Sequence, residues 1–213
     1  LGGDTARHSG GIFADIVLVG EVPQGKALLR SGAKPGDALF VAGTLGLSAR
    51  GLEFLRSGKR SKNSPAFREA LRAHAYPEPQ CHLGQYLAKT GLAAAAIDLS
   101  DGLSTDLGRL CQSSGVGAKV WAERIPVPPD FSTGNPAGHS HLFHLALHGG
   151  EDYKLLFAVR PGNVARVPDS FEGVRIHRIG EVLAGPTKSL VLPNGAHKRL
   201  ESLGYDHFRT SQL

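Results

Sequence analysis

The chain has 213 residues, 41% of them hydrophobic, and a formal net charge of +5. This hydrophobic content excludes an intrinsically disordered protein and supports a packed core. The basic residues are scattered apart from GKRSK at 58–62, and no apolar run approaches the ~20 residues of a membrane span. Neither a nucleic-acid partner nor a membrane is therefore predicted, while the positive charge favours anionic ligands such as phosphates.

Two features concern the compartment and the extent of the chain. Cys81 and Cys111 lie far apart without metal-type spacing, so we predict no disulfide framework and expect a reducing, cytoplasmic location. The chain contains no methionine and opens on LGGDTARH. We therefore expect it to be an N-terminally truncated piece of a longer protein.

The first part of the chain predicts strands and then helices. Strands are predicted at 13–22 and 37–46, where β-branched and apolar residues dominate, and Pro35-Gly36 before the second predicts a type II turn. Helical patterns follow at 48–58, at 64–75 with Ser64 as N-cap and Pro65 at the first position, and at 81–91.

The second part continues the alternation of strands and helices. A strand ends at Asp98, and apolar residues at helical spacing follow from Leu103 to Cys111. A loop is predicted at 123–140, followed at 141–159 by a helix, a glycine turn and a strand. Further strands are predicted at 175–182 and 188–200, and the second of these is a hairpin with its turn at Asn194-Gly195. This alternation predicts a mixed α/β or α+β layered fold.

The stretch IDLSDGL at 97–103 is the strongest candidate for chemistry. If the chain stays extended there, Asp98 and Ser100 share one face, and Asp101 falls where the next helix begins. Nearby carboxylates repel one another, so something positive is expected between them. Magnesium would meet that need, since it binds one or two carboxylates together with substrate phosphates. The alternative is a plain helix N-cap by Ser100 or Asp101.

Other constellations are less specific on spacing alone. Asp4 in GGDT could hold a metal ion or lie in a surface turn, and Arg30 could bind phosphate or be a solvated charge, as we expect for Lys34. In HGGEDY a helix C-cap would explain Gly149 but not the two acids after it. His141, His144 and His148 share a helical face, which suits either zinc or solvent.

Taken in order, GGDT, VPQGKALLRSGAKPGD, IDLSDGL, GGEDY and GYDHF span Gly2 to Phe208. This series resembles the thiamine-monophosphate kinases, which share a superfamily with aminoimidazole ribonucleotide synthetase and selenophosphate synthetase. The resemblance implies an α/β two-domain fold, in which residues 1–25 are the tail of an N-terminal ATP- and Mg-binding domain. Residues 26–213 would form most of the chain, a C-terminal domain with a mixed sheet sandwiched with helices.

The resemblance also implies an activity and its residues. ATP and thiamine monophosphate would be the substrates, with Mg²⁺ as cofactor and thiamine diphosphate as the product, in a cytoplasmic enzyme that is a homodimer when full length. Mg²⁺ would be bound by Asp4, Asp98 and Asp101, and ATP by Gly3, Asp4, Arg30 and Ser100. Glu151 and Tyr205 would contact the thiamine substrate, with Asp152 as a further candidate, and Tyr205 could equally be a core anchor. No residue is assigned as a general acid or base.

The chain departs from the family pattern in several places. The earlier acidic loop would lie before residue 1, so we expect the isolated chain to be inactive. Leu47 stands where the family usually has aspartate, Gln80 where it has arginine, and His148 and Lys154 where it has serine and glutamate. These departures leave two alternatives open, which are another ATP-dependent enzyme of the superfamily and a nucleotide-binding relative without catalysis.

Overall fold

The computed structural model describes residue 10 and residues 16–17, 19–57, 64–128 and 136–204, without the side chains of 136–139. Within these ranges there are five α-helices and eight β-strands. The helices are α1 Leu47–Ser57, α2 Pro65–Ala75, α3 Cys81–Thr90, α4 Leu103–Ser114 and α5 Pro136–His148. The strands are β1 Ala38–Ala42, β2 Ala93–Leu99, β3 Gly117–Trp121, β4 Lys154–Val159, β5 Ser170–Phe171, β6 Val174–Leu183, β7 Lys188–Val191 and β8 His197–Arg199.

The strands form one mixed sheet in the order β2-β4-β1-β6-β3-β7-β8, and β5 pairs with β6 outside this path. Each neighbouring pair is antiparallel except β3 and β7, which are parallel. As a result the carboxyl ends of β1 and β2 lie at the same edge of the sheet as the amino end of β4. The loops that follow or precede these three strands are thereby brought together, and we call this the site edge.

Both faces of the sheet are buried at β1 and along most of β4, where successive side chains point to opposite faces and both sets are covered. On one face Leu39, Ile97 and Leu99 pack with the apolar side of α4 and α5. On the other face Phe40 and Phe157 stack with ring centroids 5.6 Å apart and pack against α3 through Leu83 and Leu87. The helices α1 and α2 form a pair beside the sheet, where Gly51 of α1 allows the α2 backbone at Ala70 to approach closely.

Most predicted elements are confirmed, because their ends are marked by single proline and glycine residues. Pro65 opens α2, and Gly91 and Gly115 end α3 and α4 in the left-handed conformation, with φ of 65° and 67°. The hairpin at Asn194-Gly195 joins β7 to β8 as expected, with φ of 80° at Gly195. Ser64 lies at the N-cap of α2, although its side chain accepts no capping hydrogen bond.

The strand predicted at 13–22 is wrong for the residues described there. Residues 16, 17 and 19–22 lie in no strand, and Ile16, Val17 and Val19 are 82%, 78% and 95% exposed. An apolar, β-branched sequence favours extended backbone, but a strand also needs a neighbour for its hydrogen bonds. The outer edge of β2 is contacted by a later residue, Leu29, whose carbonyl accepts a hydrogen bond from the N–H of Ala96 at 2.9 Å.

Within the described ranges, no helix combines the length and apolar character that crossing a lipid bilayer requires.

Candidate functional site

Two of the predicted motifs meet at the site edge. The segment after β2 and the segment before β4 run side by side, since the N–H of Glu151 donates to the carbonyl of Ser100 at 2.7 Å. The N–H of Tyr153 likewise donates to the carbonyl of Leu99 at 2.9 Å. IDLSDGL and GGEDY, which begin at residues 97 and 149 of the sequence, therefore form one continuous surface.

Glycines allow this close approach. A Cβ atom placed on Gly150 would lie 2.7 Å from the carbonyl oxygen of Ser100, so a larger residue would push the two segments apart. Gly102 has φ of 100°, and a Cβ there would lie 2.9 Å from the backbone carbonyl carbon and oxygen of His148. Gly102 and Gly150 are therefore explained by the close packing around the two segments.

Asp98 presents a carboxylate at the end of β2. Its neighbours Ile97 and Leu99 are buried, whereas Asp98 itself is exposed. Among the described residues, its carboxylate has no hydrogen bond or ion pair. The hydroxyl of Ser100, which the alternation places towards the same face, also has no partner within the described residues. Both groups are available to a ligand.

Asp101 has a positive partner already. Its Oδ2 atom lies 2.5 Å from Nη1 of Arg109, and the same Nη1 lies 2.6 Å from Oδ1 of Asp106. The other oxygen of Asp106 accepts a hydrogen bond from the backbone N–H of Asp101 at 2.9 Å. The positive group expected beside the two aspartates is thus, for Asp101, a guanidinium supplied by α4.

Sequence reasoning missed Asp106 and Arg109. Asp106 is fully buried, and burial raises the pKa of its carboxyl group, while the N–H of Asp101 and the Arg109 guanidinium oppose that shift. The sequence contains a signal for this ion pair. Asp106 and Arg109 are three residues apart in the helix that follows the motif, and opposite charges at this spacing face each other on a helix. An aspartate on the buried side of an amphipathic helix also calls for a partner.

Glu151 is held in an unusual backbone conformation. Its φ is 66°, in the left-handed region that non-glycine residues seldom adopt, and Tyr153 has φ of 48°. The carboxylate of Glu151 is 53% exposed and lies 3.5 Å from Nδ1 of His74. His74 also lies 3.0 Å from the hydroxyl of Ser48. Such strain is found at functional sites, where the surrounding structure holds it in place.

Asp152 is buried and serves the start of α1. Its Oδ2 accepts a hydrogen bond from the N–H of Gly46 at 2.6 Å, and its Oδ1 accepts one from the N–H of Ser48 at 3.1 Å. Burial raises the pKa of Asp152 to about 6, against the opposing effect of these N–H groups and of Lys154. Both carboxylate oxygens of Asp152 accept hydrogen bonds from backbone N–H groups, so Asp152 joins its loop to the start of α1.

A cavity of about 320 Å³ opens beside this loop. Its walls come from the start of α1, the last turns of α2 and the start of β4, and they include Leu47, Arg72, Tyr76, Asp152 and Lys154. Two of the departures from the family pattern, Leu47 and Lys154, therefore line the same cavity. An aspartate at position 47 would place a carboxylate there, where Leu47 presents an apolar side chain.

The remaining predicted residues lie elsewhere or outside the described ranges. The hydroxyl of Ser114, the last residue of α4, donates to the carbonyl of Arg30 at 3.1 Å. A 12-residue helix is about 17 Å long, so the Arg30 backbone lies at the far end of α4 from Asp101. Gly3, Asp4 and Tyr205 fall outside the described residues. The roles suggested for these four residues stay predictions.

The histidines of α5 have separate partners. Nε2 of His141 lies 2.8 Å from Glu53 of α1, and Nδ1 of His148 lies 2.8 Å from the hydroxyl of Ser104. Burial, together with His144, lowers the pKa of His148. In the part of the chain that the structure describes, no three or more His, Cys, Asp or Glu residues are grouped to hold a metal ion, so the zinc alternative gains no support.

Magnesium, by contrast, suits the donors at the site edge. Asp98 offers a carboxylate that has no partner among the described residues, and Asp101 offers the oxygen that Arg109 does not contact. Two hard oxygen donors are too few for a closed protein site, but Mg²⁺ is ordinarily held by one or two carboxylates, water and substrate phosphates. The residues present therefore fit a cation that arrives with a phosphorylated ligand.

Comparison with known proteins finds similar sequences and similar structures. The chain is 36% identical over 212 residues to thiamine-monophosphate kinase of Salmonella typhimurium, covering 99% of this chain and 63% of that protein. It thus spans less than two thirds of that relative. The structure of thiamine-monophosphate kinase from Stenotrophomonas maltophilia superposes with a TM-score of 0.71 at 28% identity, over 83% of this chain and 56% of the other.

A second solved structure, AaThiL complexed with AMPPCP and TMP, superposes with a TM-score of 0.68 at 31% identity, over 85% of this chain and 54% of that one. Residues 34–193 match the family described as AIR synthase related protein, C-terminal domain. This match covers most of the chain, including β1 to β7 and the whole site edge. By sequence and by fold, then, the chain belongs to the AIR synthase related proteins and carries their C-terminal domain.

Proposed function

We propose that the chain is the C-terminal part of a kinase that transfers the γ-phosphoryl group of ATP to the phosphate of thiamine monophosphate, giving thiamine diphosphate and ADP. One observation carries the proposal. The end of β2, which carries Asp98, and the segment after it, which carries Ser100, lie beside the segment that carries Glu151, in a chain 36% identical to a thiamine-monophosphate kinase.

The liganded relative supports both substrates. AaThiL was solved with AMPPCP, an ATP analogue, and with TMP. Because that structure superposes on 85% of this chain, we infer the same pair of ligands for the protein that contains it. Mg²⁺ is proposed on the donor chemistry of Asp98 and Asp101, with Asp4 as a further ligand.

The residues have distinct parts in the proposed reaction. Asp98 and Asp101 would hold Mg²⁺, which supplies neutralisation of charge on the phosphate oxygens when bound. Gly3, Asp4, Arg30 and Ser100 would contact ATP. Glu151, whose side chain is 53% exposed, would contact the thiamine group together with Tyr205.

No side chain needs to act as a general base. The acceptor is a phosphate whose second pKa is about 6, so its attacking oxygen is already largely ionised near neutral pH. A bond forms between that oxygen and the γ-phosphorus, and the bond from the γ-phosphorus to the β–γ bridging oxygen breaks, leaving ADP. The protein therefore contributes by positioning the two phosphates in line and by excluding water. This accords with a surface of aspartates, glycines and a serine.

The organisation of the whole protein is also proposed. Residues 1–25 would end an N-terminal domain, residues 26–213 would form the C-terminal domain, and the nucleotide would lie between the two. The full-length protein would be a cytoplasmic homodimer, with no nucleic-acid or membrane partner.

The test uses the full-length gene product and measures thiamine diphosphate by fluorescence after oxidation to the thiochrome. Asp98→Asn and Asp101→Asn should each lower kcat/KM by about a hundredfold or more, because each removes a carboxylate ligand of the Mg²⁺ that would neutralise charge on the phosphate oxygens. Asp169→Asn, at an exposed aspartate outside both motif segments, serves as the matched control and should retain full activity.

Two other results would redirect the proposal. Turnover of a different phosphorylated acceptor, without turnover of thiamine monophosphate, would indicate another enzyme of the superfamily. Tight binding of ATP with no turnover of any acceptor would indicate a nucleotide-binding relative without catalysis. Either result would refute the kinase assignment.

A further inference from the structure

Arg109 occupies a position that the proposed function leaves unexplained. It lies two turns into α4 and reaches back to the start of the helix, where one of its nitrogens contacts both Asp101 and Asp106. Its own side chain is 42% exposed, whereas those of Asp101 and Asp106 are 16% and 0% exposed. The guanidinium is therefore anchored on its inner side and open to the solvent on its outer side.

Asp106 provides the anchor. Both of its oxygens are used, one by the backbone N–H of Asp101 and one by Arg109. A fully buried carboxylate needs a compensating charge, so the pairing of Asp106 with Arg109 is strongly favoured over its loss. Asp101, at the surface of this cluster, shares Arg109 as a second and more exposed partner. The contact between Asp101 and Arg109 is the one that a ligand can replace.

We propose that Arg109 is the resident counter-ion of Asp101 and transfers to the phosphate oxygens of a bound nucleoside triphosphate when a divalent cation takes its place at Asp101. The inference rests on the proposed function, in which Asp101 is a metal ligand. A cation approaching Asp101 alone meets the repulsion of the guanidinium. A cation that arrives with a triphosphate brings negative oxygens, and a guanidinium binds these with matching geometry.

The first test measures cation binding to the 213-residue chain by isothermal titration with Mn²⁺. Arg109→Gln should bind Mn²⁺ about tenfold more tightly than the wild type, the size expected when one positive charge about 6 Å from a divalent ion is removed in a water-like dielectric. Arg109→Lys keeps the charge and should stay close to the wild type. Arg124 lies 4.5 Å from the centre of the Trp121 ring. Arg124→Gln removes one positive charge there and should leave the affinity for Mn²⁺ unchanged.

The second test measures the KM for ATP in the full-length gene product. Arg109→Gln should raise this KM about tenfold or more, because a phosphate contact is lost, while Arg109→Lys should recover part of the loss. A change in thermal stability alone would not produce this split between the two variants. Melting temperatures of all variants establish that each is folded.

The outcomes separate the inference from the function on which it rests. If Arg109→Gln binds Mn²⁺ no better than the wild type, or if its KM for ATP is unchanged, the counter-ion exchange is wrong while the kinase proposal stands. If neither the wild type nor Arg109→Gln binds Mn²⁺, either alone or in the presence of AMPPCP, then the metal assignment of Asp98 and Asp101 in this chain fails, and the inference fails with it.

Discussion

Replacing Gly102 by alanine tests whether close packing of the two motif segments holds the site edge together. Gly102 lies at the N-cap of α4 with φ of 100° and ψ of 151°, a region that is essentially restricted to glycine. An added Cβ would also lie 2.9 Å from the backbone carbonyl of His148. The substitution therefore imposes both backbone strain and a steric overlap on one residue next to Asp101.

The other end of the same helix offers a matched control. Gly115 also has a positive φ, 67° with ψ of 33°, which is the left-handed conformation that other residues can adopt at moderate cost. A Cβ on Gly115 would meet no atom within 4 Å. Gly115→Ala thus changes the same residue type on the same helix, without the overlap.

The expected destabilisation follows from these two contributions. Gly115→Ala should cost about 1 kcal/mol, from the left-handed backbone alone. Gly102→Ala should cost about 2–6 kcal/mol, from about 1–3 kcal/mol of backbone strain and a similar amount for overlap with a packed backbone. Urea unfolding of the 213-residue chain, followed by far-UV circular dichroism, gives both free energies of unfolding.

Both variants replace glycine by alanine, so both lower the conformational entropy of the unfolded chain by the same amount. The difference between their free energies of unfolding therefore reports on the folded state. If Gly102→Ala destabilised the chain no more than Gly115→Ala, the segment around Gly102 would not be packed against α5 as described. The proposal that the two motifs form one surface would then lose its structural basis.

Three further predictions concern stability. Asp106→Asn should cost about 1–3 kcal/mol in urea unfolding, because the amide cannot accept from both Arg109 and the Asp101 N–H; an unchanged free energy would contradict the buried pairing. Burial lowers the pKa of His148, so below about pH 6.5 the unfolded chain binds the proton more readily and stability falls; His148→Gln should flatten that fall between pH 7 and 5, and an identical pH profile would refute it. Gly51→Ala should lower the melting temperature, since its Cβ would lie 2.2 Å from the Ala70 carbonyl oxygen. Gly84→Ala in α3, where a Cβ would meet no atom within 4 Å, should stabilise the chain by up to about 1 kcal/mol. If Gly84→Ala melted at a lower temperature than Gly51→Ala, the pairing of α1 with α2 would be contradicted.

Sequence reasoning worked best where the signal is local. The helix boundaries followed from Pro65, Gly91 and Gly115, and the hairpin followed from Asn194-Gly195, because proline and glycine limit the backbone angles wherever they occur. The prediction at 13–22 failed because apolar, β-branched composition indicates an extended chain but says nothing of whether a partner strand is present. Strand β3 was not predicted, since its five residues include Gly117 and Lys119.

The candidate site shows the same division. Asp98, Ser100, Asp101 and Glu151 were all identified from their motifs, and the structure places the segments that carry them side by side. The engagement of Asp152 with the start of α1 was not predictable, since its partners, the N–H groups of Gly46 and Ser48, lie more than 100 residues away in the chain. The pairing of His74 with Ser48 and Glu151 depends likewise on how α2 packs against α1.

By itself the sequence indicated most of the elements and their ends, and it supplied the candidate groups for a cation that arrives with phosphate, because residue chemistry and backbone preference are properties of short segments. Only the tertiary structure decided which of those groups remain free. The sheet order places β4 beside β2 and so unites two motifs, and the register of α4 supplies Arg109 to Asp101 while leaving Asp98 open. Pairing of charges depends on distances between side chains, and those distances are set by packing across the whole chain.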